Sequence, residues 1–282
     1  MTEVRTLVAK HKIHIRKKLG QSFLEDVNII KKIASLVAPA ADETIVEIGA
    51  GLGGMTEELA KTAGRVIALE IDPQLLDVLR ERFGRQENVE VLAMDVLKYD
   101  FSQADKGKKI KVVGNIPYYI SSPILFRLLS FRQQVSSFTL MFQKEFAERV
   151  AALPGTKQYG IPSVMVAKYT DVSCEMVVSP AFFYPPPDVA SCVVRMTVKQ
   201  MEDDDPYEER FERLVRAAFA HRRKNILNNL LYAGFSKEAL DIVFSQSRIA
   251  PQRRAETLSL EEFTNLSILL AEISNQNPPP KI

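Results

Sequence analysis

The chain has 282 residues, 46% hydrophobic and 26% charged, with a net charge of only +2. That composition belongs to a folded globular protein with one sizeable core and room for a small extra domain, and it excludes a disordered or fibrous chain. Cys174 and Cys192 lack CxxC spacing and the three histidines (His11, His14, His221) are scattered, which argues against a metal centre and fits a reducing cytoplasm; no apolar run approaches a membrane span.

Charge is uneven along the chain. Residues 1–18 carry Arg5, Lys10, Lys12, Arg16, Lys17 and Lys18 against Glu3 alone, and residues 220–254 carry seven Lys or Arg against Glu238 and Asp241. Two basic segments on a near-neutral chain point either to an anionic partner or to solvated faces. The first runs through RKKLGQSFL (16–24) into an amphipathic helix over Asp26–Val37, whose Ile29, Ile30, Ile33, Leu36 and Val37 recur at helical spacing.

Ile45, Val46 and Ile48 then predict a buried parallel strand that breaks into Gly49-Ala50-Gly51-Leu52-Gly53-Gly54 before a helix from Thr56. Glycines at a strand-to-helix turn let a ligand approach the backbone, although that signal alone is shared by several cofactor classes. A second strand, 65–72, ends in Glu70, about 20 positions on, where a carboxylate can hold ribose hydroxyls. Asp72 precedes Pro73 and reads as the cap of the next helix, Pro73–Phe83. A third strand, 89–95, ends in Asp95, which can accept from the exocyclic amine of an adenine or simply cap a turn. A fourth, 110–113, ends in GNIPYY (114–119), which sets an amide, a fixed proline and a ring at the mouth of the sheet. Four successive strand ends thus carry the glycine loop, Glu70, Asp95 and Asn115, and the alignment says more than any one member.

Residues 138–143 predict a fifth strand, followed by a helix over 144–152 and then β segments over 164–178 and 190–198. Between the last two lies SPAFFYPPPDVAS, a stiff loop in which Phe182 reads as core and Phe183 as a site residue. The acidic stretch 201–206 reads as a linker, and everything beyond it as helix.

These motifs resemble a known family. EIGAGLG (47–53), LEID (69–72), MDVL (94–97) and GNIPYYIS (114–121) are similar to the S-adenosylmethionine-binding pattern of class I methyltransferases, and NIPY resembles the motif of enzymes that methylate amino nitrogens on bases. KKLGQSFL (17–24), FFYPPPDVAS (182–191), HRRKNILNNL (221–230) and RAETLSLEEF (254–263) extend the similarity to the ribosomal RNA adenine N6,N6-dimethyltransferases (the KsgA/RsmA type). The last two stretches distinguish it from the erythromycin-resistance methyltransferases. The chain departs from the pattern at Ser22, where the family has Asn, and at Asp188 and Ala190, where it has Lys and Asp.

The resemblance implies an α/β, Rossmann-like fold with a mostly parallel seven-stranded sheet and a small all-helical C-terminal domain. It implies a basic arm over residues 1–24, a methyltransferase domain over 25–200, and an RNA- or ribosome-binding domain over 207–275. S-adenosylmethionine would lie against Ser22, Leu24, Gly49, Gly51, Glu70, Asp95 and Asn115. Asn115, the Ile116 carbonyl, Pro117, Tyr118 and Phe183 would hold the target adenine, and Tyr119 would merely pack. Arg16, Lys17, Lys18, Arg222, Arg223 and Lys224 would meet phosphates. The implied activity is dimethylation of two adjacent adenosines near the 3′ end of small-subunit rRNA, on the pre-30S particle, by a cytoplasmic monomer that needs no metal or membrane. Methylation of 23S rRNA, and an assembly factor that binds more than it catalyses, are the alternatives.

Overall fold

The computed structural model describes residues 2–16, 20–105, 107–200 and 207–276. The chain divides into two compact units. The first comprises residues up to Glu148 together with Tyr169–Lys199; the second comprises Arg149–Lys168 and the chain from Gln200 onward.

The first unit is built on a seven-stranded sheet. Its strands are β2 (Thr44–Ile48), β3 (Arg65–Glu70), β4 (Val89–Ala93), β5 (Ile110–Asn115), β6 (Val135–Gln143), β7 (Thr170–Val178) and β9 (Ser191–Val198), in the order β4-β3-β2-β5-β6-β9-β7. The first five run parallel, and β9 pairs antiparallel with both β6 and β7. The chain builds outward from β2 through β3 to β4, then returns to the other side of β2 as β5. The strand order therefore reverses between β2 and β5, which is where ligands sit in such sheets, outside the carboxyl ends of the strands. Strand β2 is buried along its whole length, as a strand covered on both faces must be.

Helices α2 (Val27–Val37), α3 (Gly54–Leu59), α4 (Pro73–Phe83) and α5 (Ser121–Ser130) belong to the crossovers. Asp26 caps α2 by accepting from the N–H groups of Asn28 and Ile29, and Asp72 caps α4 by accepting from Gln74, with Pro73 in the first turn. One core cluster joins Ile33, Ala34 and Val37 of α2 to Ile45, Leu59, Val66, Val113 and Met141.

The basic N-terminal segment is not a bare arm. It contains a helix, α1 (Glu3–Lys10), that sequence periodicity did not announce. Val4, Leu7, Val8 and Ile15 pack on Ile13, Phe23, Leu52, Leu75 and Val78. Its cations meet carboxylates: Arg5 pairs with Glu25 at 3.0 Å and Lys10 with Glu81 at 2.7 Å. The segment ends in a two-residue strand, β1 (Phe23–Leu24), antiparallel to β8 (Phe183–Tyr184).

The stretch expected as a β segment over 164–178 is two elements. Residues Ile161–Tyr169 form helix α7, and only Thr170 onward is strand. Val164, Met165 and Val166 are all buried, so the run is apolar on every side, and periodicity cannot separate such a helix from a buried strand.

The second unit takes residues 149–168 away from the expected 25–200 domain and clusters them with the C-terminal helices. Besides most of α7 and the end of α6 (Lys144–Val150), it contains α8 (Glu208–Ala218), α9 (Ile226–Tyr232), α10 (Lys237–Ser247) and α11 (Leu260–Gln276). Its core joins Phe211, Leu214 and Val215 of α8 to Phe263 and Leu266 of α11, with the Phe219 ring edge-on to Tyr159 and tilted against Phe263. Asn225 caps α9, and Ser236 caps α10. The anticipated linker, 201–206, lies outside the described residues. Among the described residues no helix is long and apolar enough to cross a membrane, and no group of His, Cys, Asp and Glu is set to hold a metal.

Candidate active site

The reversal point between β2 and β5 opens into a cavity of about 380 Å3. That is within the range of roughly 300–1,000 Å3 usual for small-molecule sites. Of the residues expected to hold a cofactor, Ser22, Leu24, Gly49, Gly51, Glu70, Asp95 and Asn115 all line it. They come from the N-terminal segment and from the ends of β2, β3, β4 and β5, so the sheet topology gathers what the sequence spreads over 94 positions from 22 to 115.

Glu70 organises one end. Its carboxylate accepts from the backbone N–H groups of Gly51 (2.9 Å), Ile71 (2.8 Å) and Asp72 (2.9 Å). The glycine loop is thereby tied to the end of β3. Gly49, Gly51 and Gly53 all adopt positive φ, and a Cβ on Gly53 would come within 2.4 Å of the Phe83 ring, so the loop needs glycine there. Burial pushes the Glu70 carboxyl up, against the three backbone donors. Next along the sheet, Asp95 accepts from Leu97 N–H at 2.9 Å through Oδ1 and so closes its own turn. Met94, Val96 and Leu97 add an apolar wall beside it.

Asn115 organises the other end. Its Nδ2 donates to the Ser22 carbonyl at 3.1 Å, which leaves Oδ1 as the acceptor for an incoming N–H. Ser22 is held in turn by its hydroxyl, which donates to the Pro185 carbonyl at 2.7 Å. Pro117, with φ −57°, lines the cavity after the buried Ile116, whose N–H donates to Met141 O at 3.0 Å.

The two aromatic assignments change. Phe183 is 1% exposed and packs in the core cluster with Ile33, Val113 and Met141, so its ring is not offered to the cavity; Phe182, read as core, is 36% exposed. The antiparallel pairing of Leu24 with Phe183 sets which neighbour turns inward. Tyr118 is half-buried, and its hydroxyl is hydrogen-bonded to Ser191 Oγ at 2.8 Å; burial pushes the phenol up. Tyr119, set aside as a packing residue, lines the cavity and is 59% exposed.

Glu47 was missed. It sits mid-strand on β2, lines the cavity, is 3% exposed, and accepts from Thr56 Oγ1 at 2.5 Å. Burial pushes it up to about 8, with the Glu70 charge adding to the shift. The signal available was one acid following the apolar Ile45-Val46 and preceding Ile48 in the strand TIVEI.

Of the expected phosphate contacts, Arg16 has Nε 3.7 Å from Asp72 Oδ2, and Lys17 and Lys18 lie outside the described residues. Arg222, Arg223 and Lys224 occupy the exposed turn between α8 and α9. Arg222 donates to the Lys157 carbonyl at 2.7 Å and lies 3.6 Å from Glu256.

A reversed parallel sheet with a glycine loop, an acid at the end of β3 and an Asn-Ile-Pro-Tyr strand end defines a class I methyltransferase. A family model for the ribosomal RNA adenine dimethylases matches residues 12–272. The chain is 46% identical over 277 residues to ribosomal RNA small subunit methyltransferase A of Syntrophus aciditrophicus, covering 94% of this chain and 98% of that protein. It is 42% identical to the protein of the same name from Bacillus mycoides, covering 93% and 94%. Among solved structures, a dimethyladenosine transferase from Plasmodium falciparum superposes with a TM-score of 0.76 at 28% identity, covering 89% of this chain and 98% of that one. The 23S rRNA methyltransferase ErmE superposes at 0.69 with 27% identity, covering 88% and 99%. The chain belongs to the ribosomal RNA adenine dimethylase family, and it is an rRNA adenine dimethyltransferase.

Proposed function

We propose that this chain transfers methyl groups from S-adenosylmethionine to N6 of two adjacent adenosines near the 3′ end of small-subunit rRNA, as a cytoplasmic monomer acting on the pre-30S particle. The observation that carries the reading is the state of Asn115: its amide nitrogen is held by Ser22, and its oxygen is left for an N–H donor beside the cavity.

The cavity fits the cofactor by its donor set. Glu70 has two carboxylate oxygens, roughly four lone-pair positions, and three backbone donors, so capacity for a ribose hydroxyl remains. Asp95 Oδ2 is the group for an adenine amine, since Oδ1 is used by Leu97. Bound there, the cofactor supplies a methyl group already activated by its sulfonium.

The chain's task is then the nucleophile. Adenine N6 shares its lone pair with the ring and attacks poorly. Asn115 Oδ1 and the Ile116 carbonyl accept its two N–H bonds, which favours a pyramidal nitrogen and frees the lone pair. Those acceptors bind more strongly as N6 becomes positive, so they act in the transition state. Pro117 fixes the backbone that carries the Ile116 carbonyl. Rings at 118 and 119 flank the strand end; Tyr118 is anchored through Ser191, and the exposed Tyr119 is the one free to lie on the base. The base must leave its stack to enter. Each transfer leaves N6 positively charged and it then gives one proton to water, so one N–H remains for the acceptors after the first transfer and none after the second, which makes dimethylation the end point.

The test is incubation of the purified chain and labelled S-adenosylmethionine with small subunits that lack the modification and, in parallel, with large subunits, followed by mass spectrometry of each rRNA. Dimethyladenosine at two adjacent positions is expected, and Asn115→Ala should lower the rate by roughly 100-fold or more. Label in large-subunit rRNA alone would favour the 23S reading, and no label in either would sink both.

A further inference from the structure

The segment 213–237 carries Arg213, Arg216, Arg222, Arg223, Lys224 and Lys237 without a single Asp or Glu. Within it, the last residue of α9, Tyr232, is 69% exposed. A lone exposed ring needs no explanation, but this one is not alone. Lys224 Nζ lies 5.0 Å from the Tyr232 ring centroid, and the His221 ring meets it edge-on at 4.6 Å and 78°. Three residues further, past the end of α9, the Phe235 ring lies 5.1 Å from Arg213.

The turn bearing these groups is held from beneath. Buried Asn229 accepts from His221 N–H at 3.1 Å and donates to the carbonyls of Ala218 (2.7 Å) and His221 (3.2 Å). Asn225 Oδ1 accepts from Asn228 N–H at 2.8 Å. So the backbone that carries the cations is fixed relative to α9, which carries the ring, before any partner arrives. His221 Nε2 has no hydrogen-bond partner among the described residues, so ring contact orients that imidazole.

We propose that Tyr232 is a stacking platform for one unpaired base of the RNA, with the phosphates on either side held by Arg223 and Lys224. The inference rests on the rRNA reading above. A ring face suits any base, because every base has a π-face, and the cations beside it suit the charge of the same nucleotide. Arg216 and Arg222 already meet Glu212 (2.6 Å) and Glu256 (3.6 Å), so Arg223 and Lys224 are the cations set for the phosphates; a fully paired helix would leave the ring without an occupant.

The experiment measures binding of the full chain to unmethylated small-subunit rRNA and to a perfectly paired RNA duplex, across a range of salt. Tyr232→Ala should weaken rRNA binding roughly tenfold, leave the salt slope unchanged, and leave duplex binding as in the parent. Tyr232→Phe should retain binding. Lys224→Ala should reduce the salt slope by about one. Photo-crosslinking should place a nucleotide on Tyr232, which a merely structural ring would not give. Tyr232→Ala with parental rRNA affinity, or with equal loss on both RNAs, would overturn the proposal. If the parent methylates small subunits in the same preparation, that failure is the platform's alone; if the parent binds no rRNA, the functional reading fails as well.

Discussion

Glu47 is a carboxylic acid inside a sheet, and its surroundings decide its charge. It titrates near its ordinary 4.5 when unfolded and near about 8 when folded. Between those values the folded chain keeps a proton that the unfolded chain has released. Stability therefore falls as pH rises through the window and levels off above about 8. Glu47→Gln keeps an acceptor for Thr56 and removes the titration, so its stability relative to the parent should grow from pH 5 to pH 8. At about 1.4 kcal/mol per unit the gain is on the order of a few kcal/mol. Urea denaturation at pH 5, 7 and 8.5 measures it, and a pH-independent difference would refute the assignment. At Glu70 the expected outcome is different. Glu70→Ala removes the anchor of the glycine loop as well as the ribose acceptor, so calorimetry should show cofactor affinity lowered by roughly 10- to 100-fold. Positions near strand ends were legible in the sequence because position and chemistry coincide: Glu70 and Asn115 end β3 and β5, Asp95 lies two residues past β4, and all three line the cavity. Glu47 was not, since a buried acid inside a strand looks like an interruption. Nor were the aromatic roles, because two adjacent rings give no sign of which one turns outward.

At the scale of elements, β2 and β5 pass close to each other beside the site. A Cβ at Gly114 would lie 2.8 Å from Ile48 O and 2.9 Å from its Cβ. Gly114→Ala should therefore force the strands apart and cost about 1–3 kcal/mol by denaturant melting, with a fall in cofactor affinity; a neutral effect would show that the pair has slack. The sheet was readable from its apolar runs and glycine breaks. The two-residue strands β1 and β8 were not, since two residues carry no period. Helix α7 was mistaken for strand for the related reason that all its faces are buried.

At the scale of the molecule, the chain enters the second unit, leaves it, and returns. Residues 149–168 cluster with helices that lie beyond Gln200. Lys168 Nζ lies 4.0 Å from the Phe211 ring centroid, and Tyr159 meets Phe219 edge-on. A chain cut after Lys199 would keep the apolar α7 without those partners, so it should aggregate or bind a hydrophobic dye more strongly than the full chain in gel filtration and dye assays. Full solubility with no dye binding would contradict this. Linear sequence reading set the boundary at the acidic stretch because composition changes there, and composition carries no record of an earlier excursion.

The bond from Asn115 to Ser22, and from Ser22 to Pro185, has a temporal side. The acceptor geometry at residue 115 depends on a segment near the start of the chain, and that segment is braced by one 163 positions later. During synthesis the wall of the site cannot be completed until residue 185 has emerged. Contacts so distant in sequence form late, because loop closure must come first. Strand β9 (Ser191–Val198) follows Pro185 closely in the chain, so on the ribosome the sheet and the wall of the pocket are completed at nearly the same point of synthesis.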